Sequence, residues 1–387
     1  MLALASAPAC RQYMNQRPDI ALPRQDEDIV PWLSTLLRQA VSLGASDLHI
    51  DAMADGAQLR LRIHGLLHDW QHIPAQWQGR LVSRIKVLAS LDLAERRLPQ
   101  DGRLNLPDVG SLRVASLPTL HGEKLCLRLC ETGALRNLAE LNLPNHIGAN
   151  LDHALQCPDG LILITGPTGS GKTTTLYACL QALNSRERHI ATVEDPIEHI
   201  LAGVNQTAIT PRIGLGFAEI LRALLRHDPD VIMVGEIRDK ATADMAVQAA
   251  ETGHLVLSTL HTGSALESLT RLRHLGVPDY LVSSCLRLVL SQRLVRKRCG
   301  HCAPLSRFGC IECIDGYQGR LGLYEALALT PEIVNAWANG ADQRELSALL
   351  IKQRWHSMRE HAAECVSSGL TEVREIERVL GRELCTH

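Results

Sequence analysis

Residues 166–173 read Gly-Pro-Thr-Gly-Ser-Gly-Lys-Thr and follow the apolar run Leu161–Ile164. A strand followed by a glycine-rich turn and a lysine needs a helix next, and Thr173–Asn184 supplies it. Gly166, Gly169 and Gly171 let the backbone wrap a polyphosphate with its N–H groups pointing inward. Lys172 is spaced to reach the β- and γ-phosphates, and Thr173 to set its hydroxyl on Mg²⁺. The positive end of the following helix adds to the same field. The expected ligands are therefore ATP and Mg²⁺. The expected binding residues are Gly166, Pro167, Thr168, Gly169, Ser170, Gly171, Lys172, Thr173 and Thr174.

At 387 residues the chain is long enough for two or three domains. Aromatic residues are only 3%, so the cores must be built from Leu, Val, Ile and Ala. Lys and Arg total 40 against 42 Asp and Glu, a formal charge of −2. Without a global basic field, nucleic acid is not an expected partner. No apolar stretch approaches the roughly 20 residues that cross a bilayer. Met1–Ala7 is apolar but lacks a basic leader, so a cytoplasmic protein is expected.

Residues 1–25 carry three prolines and no period, which predicts a loose tail. Helical spacing over Ile29–Val41 precedes a short strand at Asp47–Asp51. Leu59, Leu61 and Ile63 then alternate with Arg60 and Arg62, the mark of a half-buried strand. A helix over Leu81–Leu93 and paired strands at Leu112–Leu117 and Lys124–Leu129 complete a mixed α+β domain over 26–135. The stretch 136–150 reads as a linker. From 151 onward strands at Leu161–Ile164, Ile190–Val193, Val231–Val234 and Leu255–Thr259 alternate with helices, predicting a mainly parallel covered sheet. The part from 330 to 387 is expected to be mostly helical.

Residues 228–236 read Asp-Pro-Asp-Val-Ile-Met-Val-Gly-Glu, a buried strand ending in a carboxylate. Glu236 is thus placed to hold Mg²⁺ together with Thr173. Ile190–Val193 runs into Glu194-Asp195-Pro196-Ile197-Glu198. Hydrolysis needs a carboxylate to orient or deprotonate water, and spacing leaves Glu194, Asp195 and Glu198 open for that part.

Gly166–Thr173, Glu194–Glu198, Leu221–Asp239 and Gly253–Thr262 occur in an order and spacing that resemble the secretion ATPase superfamily of type II secretion and type IV pilus machines. Ala45–Ile50, Arg97–Arg103 and Pro118–Glu123 are similar to the family's domain before the ATPase core, so the likeness covers roughly residues 30–380. The resemblance implies an α/β fold, a RecA-like phosphate-loop core over 151–387 preceded by a smaller PAS-like α+β domain. It implies a homo-hexamer bound to a polytopic inner-membrane platform protein at the cytoplasmic face, acting on pilin or pseudopilin indirectly. Glu198 falls on the family's catalytic glutamate, Glu236 on its Walker B glutamate, and His254 and His261 on its histidine box. Arg103 and Arg113 lie in stretches similar to those that bring arginines over the nucleotide. His64, His227 and Gly263 depart from the pattern without removing a catalytic group. Many assembly ATPases carry a further amino-terminal domain that docks onto an adaptor. With about 25 residues before the first helix, that mode of docking is not expected here.

Cys299-x-x-Cys302 and Cys310-x-x-Cys313 place four of the twelve cysteines within 15 residues. Two such knuckles complete a tetrahedral thiolate site for Zn²⁺, and Arg293, Arg296, Lys297 and Arg298 favour the thiolates. Such a site supplies on the order of 10 kcal/mol of local folding energy. A redox dithiol is the weaker alternative, since those motifs usually carry one pair. Cys310–Glu325 also resembles the assembly branch of the family, whereas the retraction branch generally lacks the four cysteines. The expectation is an assembly motor, with a retraction or DNA-uptake motor of the same fold as the alternative.

Overall fold

The computed structural model describes residues 20–22, 29–129, 135–301, 310 and 313–381. Most of the expected tail, and Cys302, lie outside the described residues. Residues 20–22 do not read as loose: Ile20 and Leu22 pack on a core, and the Ile20 carbonyl accepts from Gln71 Nε2 at 2.9 Å. Contacts divide the chain into two units. The first takes the residues up to 134 together with 298–319, and the second takes 135–297 and those from 320 onward. The cysteine segment, expected within the ATPase domain, thus groups with the first unit.

In the first unit α1 (Ile29–Ser42) buries Leu33, Leu36, Leu37 and Ala40 on one face, as their spacing requires. Strands β1 (Ala45–Met53), β2 (Gly56–Ile63) and β3 (Leu66–Pro74) lead to α2 (Ala75–Leu88). This helix starts earlier than predicted and ends earlier too, where Ser90 takes φ 57°. Strands β4 (Gln100–Leu106), β5 (Gly110–Thr119) and β6 (Gly122–Leu129) finish an antiparallel sheet in the order β3-β2-β1-β6-β5-β4. On β2 the alternation holds: Leu59, Leu61 and Ile63 are buried, and Arg60 and Arg62 are not.

The second unit opens with a short 3-10 turn (Leu138–Leu141) and α3 (Asn145–Leu155), so the stretch read as a linker is structured. Ile147 and Leu151 give the physical reason, since both are fully buried in this unit's core. Then come β7 (Gly160–Thr165), α4 (Lys172–Leu183), β8 (Ile190–Glu194), β9 (Val204–Ala208), α5 (Phe217–Leu224), β10 (Val231–Val234), α6 (Lys240–Glu251), β11 (Leu255–Leu260), α7 (Ala265–His274) and α8 (Asp279–Cys285). The long strands β12 (Leu286–Arg298) and β13 (Tyr317–Ala328) precede α9 (Pro331–Ala338), α10 (Gln343–Lys352), α11 (Met358–Ser367) and α12 (Val373–Leu380). Sheet order is β13-β12-β7-β11-β10-β8-β9, parallel from β12 to β9. Leu161 and Leu163 enter one apolar cluster with α6 and α7, while Ile162 and Ile164 enter another with α3 and α4. Burial on both faces explains why these strands read as continuous apolar runs rather than alternating ones.

Helix α12 is held by an ion triad. Glu375, fully buried, accepts from Arg296 Nη2 of β12 at 2.8 Å and from Arg378 Nη2 at 2.6 Å. Burial alone would raise this carboxyl, but Arg378 and Arg296 outweigh it and hold it at about 2. The native pKa lies below the unfolded value of about 4.3, so the stabilisation is present above that pH and fades as pH falls toward 2. Glu375→Gln should lower unfolding free energy at pH 7 by about 3 kcal/mol, read by urea titration. The gap between variant and wild type should close between pH 4 and about 2.

Candidate nucleotide site at the sheet's carboxyl edge

Strand β7 lies between β11 and β12, while the chain after α4 passes to β8 beyond β11 and β10. Loops leaving the carboxyl ends of these parallel strands therefore meet at a point where strand order reverses, the usual ligand crevice of such sheets. The loop 166–171 stands there. Gly166, Gly169 and Gly171 take φ of 148°, 77° and 88°, a region that side chains with a Cβ rarely enter. Gly166 has a second reason, because a Cβ there would sit 2.4 Å from the Gln292 carbonyl oxygen. Thr173 is the second residue of α4 and is exposed, and Thr174 after it is half-buried.

Lys172 is buried, and its Nζ donates to the carbonyls of Gly166 at 2.8 Å and Pro167 at 3.0 Å. Burial lowers its pKa to about 8; Glu236 opposes this and Arg293 adds to it. Glu236, past the end of β10, accepts from Arg238 Nη2 at 2.5 Å and lies 3.5 Å from His261 Nε2. Lys172, Glu236 and His261 thus form one electrostatic group beside the loop. His261 is lowered chiefly by burial and next by Lys172, with Glu236 pulling the other way.

The acidic run after β8 resolves into different environments. Glu194 is buried, with three donors on its two oxygens: Tyr177 Oη at 2.5 Å, Thr192 Oγ1 at 2.6 Å and Gln206 Nε2 at 3.0 Å. Burial, and then Glu194, push the Tyr177 phenol up. A carboxylate so saturated is a structural anchor for the turn that follows. Asp195 and Glu198 are exposed in that turn. The turn leaves the sheet on the same edge as Glu236, since Gly235 N donates to Val193 O at 2.8 Å.

His254 is not brought to this edge. It precedes β11 at the opposite end, its carbonyl accepting from Gly160 N at the start of β7 and its Nδ1 lying 2.9 Å from the Ala249 carbonyl. The six residues of β11 hold it about 20 Å from His261. The histidine pair expected from the resemblance is thus divided between two ends of one strand. Arg103 and Arg113 pair opposite each other on β4 and β5 of the first unit.

Sequence reading did not single out Gln292 on β12, which touches both the loop and α4. Its signal was a polar residue within an apolar strand, far from the loop in sequence.

Cys299, Cys310 and Cys313 gather in the first unit with their sulfurs within 4.8 Å of one another. Sγ–Sγ distances are 3.8 Å for Cys299–Cys310 and 3.7 Å for Cys310–Cys313. Those are far too long for a disulfide. Tetrahedral Zn–S bonds of about 2.3 Å require sulfurs about 3.8 Å apart, so the three thiols fit a zinc site. Cys310 N also donates to Cys313 Sγ at 3.2 Å, the knuckle's own stabilisation of a thiolate. Ile314 anchors the segment in the first unit's core, and His64 Nε2 accepts from Gly319 N at 3.2 Å.

A parallel, doubly covered sheet with this loop and these acids defines a phosphate-loop ATPase of the RecA-like kind. The family model described as "Type II/IV secretion system protein" matches residues 23–378, and the chain belongs to that family. It is 41% identical to the type II secretion system ATPase E of Vibrio cholerae, over 95% of this chain and 78% of that protein. It is 40% identical to the type IV pilus assembly ATPase PilB of Acinetobacter baylyi, over 92% of this chain and 67% of that one. Among solved structures, the pilus retraction motor PilT with bound ADP matches 90% of this chain and 95% of its own at 29% identity, with a TM-score of 0.64.

The lowered pKa of Lys172 predicts a pH dependence for nucleotide binding at this loop. Only the ammonium attracts phosphate, so affinity is full below about pH 8 and falls as pH rises through it. A fluorescent ADP titration from pH 6.5 to 9.5 should show Kd rising by up to tenfold per pH unit above that point.

Proposed function

We propose that this chain is an ATP-hydrolysing motor that drives pilin or pseudopilin assembly in a type IV pilus or type II secretion machine. The observation that carries this reading is the grouping of Lys172, Glu236 and His261 at the loop edge of a sheet. Its direction of work rests on relatives about 40% identical that are named for assembly and secretion, against 29% for the retraction motor. Three clustered thiols support the assembly branch as well.

In this reading the N–H groups of the loop hold the phosphates, and Lys172 exchanges its two carbonyl acceptors for phosphate oxygens. Thr173 and Glu236 are the hard oxygen donors for Mg²⁺, which neutralises charge across the phosphates. Glu194 is already saturated, and the resemblance selects Glu198 as the carboxylate that orients the attacking water and takes its proton. His261, joined to Glu236, reports whether a γ-phosphate is present. His254 is given no catalytic part. Arg103 and Arg113 are proposed, on the resemblance, to stabilise charge on the γ-phosphate. The working form is a homo-hexamer at the cytoplasmic face of the inner membrane, bound to a polytopic platform protein. Among the described residues no helix is long and apolar enough to cross a membrane.

Glu198→Gln should cut ATP turnover at least a hundredfold while ADP Kd stays within about threefold of wild type; undiminished turnover would reassign the base. Lys172→Ala should lose both. In cells deleted for this chain, electron microscopy should show filaments lost and not restored by Lys172→Ala. Excess filaments would instead indicate retraction, and unchanged filaments would direct attention to secreted proteins and DNA uptake.

Cys299, Cys302, Cys310 and Cys313 are proposed as a structural Zn²⁺ site. Elemental analysis of the purified chain should find about one zinc per chain. Cys299→Ser should lose the metal and lower thermal stability without shifting ADP affinity. Equal zinc in both proteins would exclude the site.

A further inference from the structure

Gln292 and Arg293 are consecutive residues of β12, and consecutive strand side chains leave on opposite faces. Gln292 is 2% exposed. Its Oε1 accepts from Thr175 Oγ1 of α4 at 2.8 Å, and its Nε2 donates to the Ser170 carbonyl of the phosphate loop at 2.6 Å. The packing leaves no slack, since a Cβ on Gly171 would lie 3.1 Å from that same Nε2. Arg293 reaches the other way: Nη2 donates to the Gly263 carbonyl, two residues past His261, at 2.5 Å, and Nη1 to the Gln292 carbonyl at 3.1 Å. Its charge is felt at Lys172, and it lies in the field of Glu325 and Glu267. Glu325 in turn is buried on β13 and accepts from Ala265 N, at the start of α7, at 2.7 Å.

We propose that Gln292 and Arg293 are positioning residues for the nucleotide site. Gln292 fixes the phosphate loop against α4, and Arg293 fixes the loop carrying His261 against the same strand. The two halves of the site are thereby held in register by one backbone. Gln292 acts on the Ser170 carbonyl, so its loss tilts the peptide units whose N–H groups face the phosphates and weakens binding. Arg293 acts through Gly263, so its loss displaces His261 and slows turnover with little effect on binding. The inference rests on the reading above that this loop holds ATP.

The test uses the full chain and measures ADP Kd by fluorescence, ATP KM and kcat, and melting temperature. Gln292→Leu removes both hydrogen bonds at similar volume and should raise Kd and KM about tenfold. Thr175→Val keeps the shape, removes only the α4 end, and should raise both about threefold; it decides the matter if Gln292→Leu does not fold. Arg293→Met should lower kcat about tenfold at near-normal Kd, and Arg293→Lys, which keeps a donor, should recover part of that loss. A purely stabilising role would lower the melting temperature and leave Kd, KM and kcat untouched, which overturns the proposal. Wild-type chain that neither binds ADP nor hydrolyses ATP overturns the functional reading itself, and this inference with it.

Discussion

Burial of β7 on both faces, between β11 and β12, is the constraint on which the rest of the second unit depends. A strand so placed has no solvent face, so its polar chemistry can appear only where it stops. The turn at Gly166 is where it stops, and the neighbouring strands end beside it. Desolvation is the direct consequence. Lys172 is buried at that edge and its ammonium is disfavoured. Several nearby hydroxyls are correspondingly tied to a partner, Thr165 with Thr262 at 2.7 Å and Thr262 with Ser268 at 2.8 Å.

The same physics divides the carboxylates. Glu194 ends the apolar strand β8 and Glu236 lies just past β10, so the two look alike locally. Glu194 turns into the protein, where Tyr177, Thr192 and Gln206 use up its oxygens. Glu236 stays at the crevice beside a guanidinium and an imidazole. A buried carboxylate that already accepts three donors is poorly placed to take a proton from water, whereas one at the mouth of a crevice can meet a cation.

The cysteine segment follows a different logic. Among its described residues, Ile314 contributes to the first unit's core. Cys299, Cys310 and Cys313 stand close enough together there to suit a metal. The chain leaves the second unit at Lys297 and returns to it at Arg320, so this segment joins β12 to β13. The strand that grips the phosphate loop through Gln292 therefore continues covalently into Cys299.

Much of this was legible in the sequence because it is local. The loop, its flanking strand and helix, the apolar runs of a two-sided sheet, the alternation on β2 and the spacing of the cysteine pairs all follow from periodicity and residue type. The boundaries that failed were set by distant contacts: the supposed linker is structured because Ile147 and Leu151 find a core, and the cysteine segment belongs to the first unit because Ile314 does. The resemblance put His254 and His261 together in one histidine box, yet an extended strand separates its ends by its full length, and His261 is the one that lies beside Glu236. Glu194 could not be told from Glu198 without knowing where Tyr177 and Gln206 fall. Sequence alone determined that a phosphate loop ends a buried parallel strand, since backbone freedom and hydrophobic period are properties of neighbouring residues. Which carboxylate is sequestered, which histidine attends the loop, and that Gln292 clasps it from 122 residues away were decided by tertiary structure, because strand order brings those side chains within hydrogen-bonding distance.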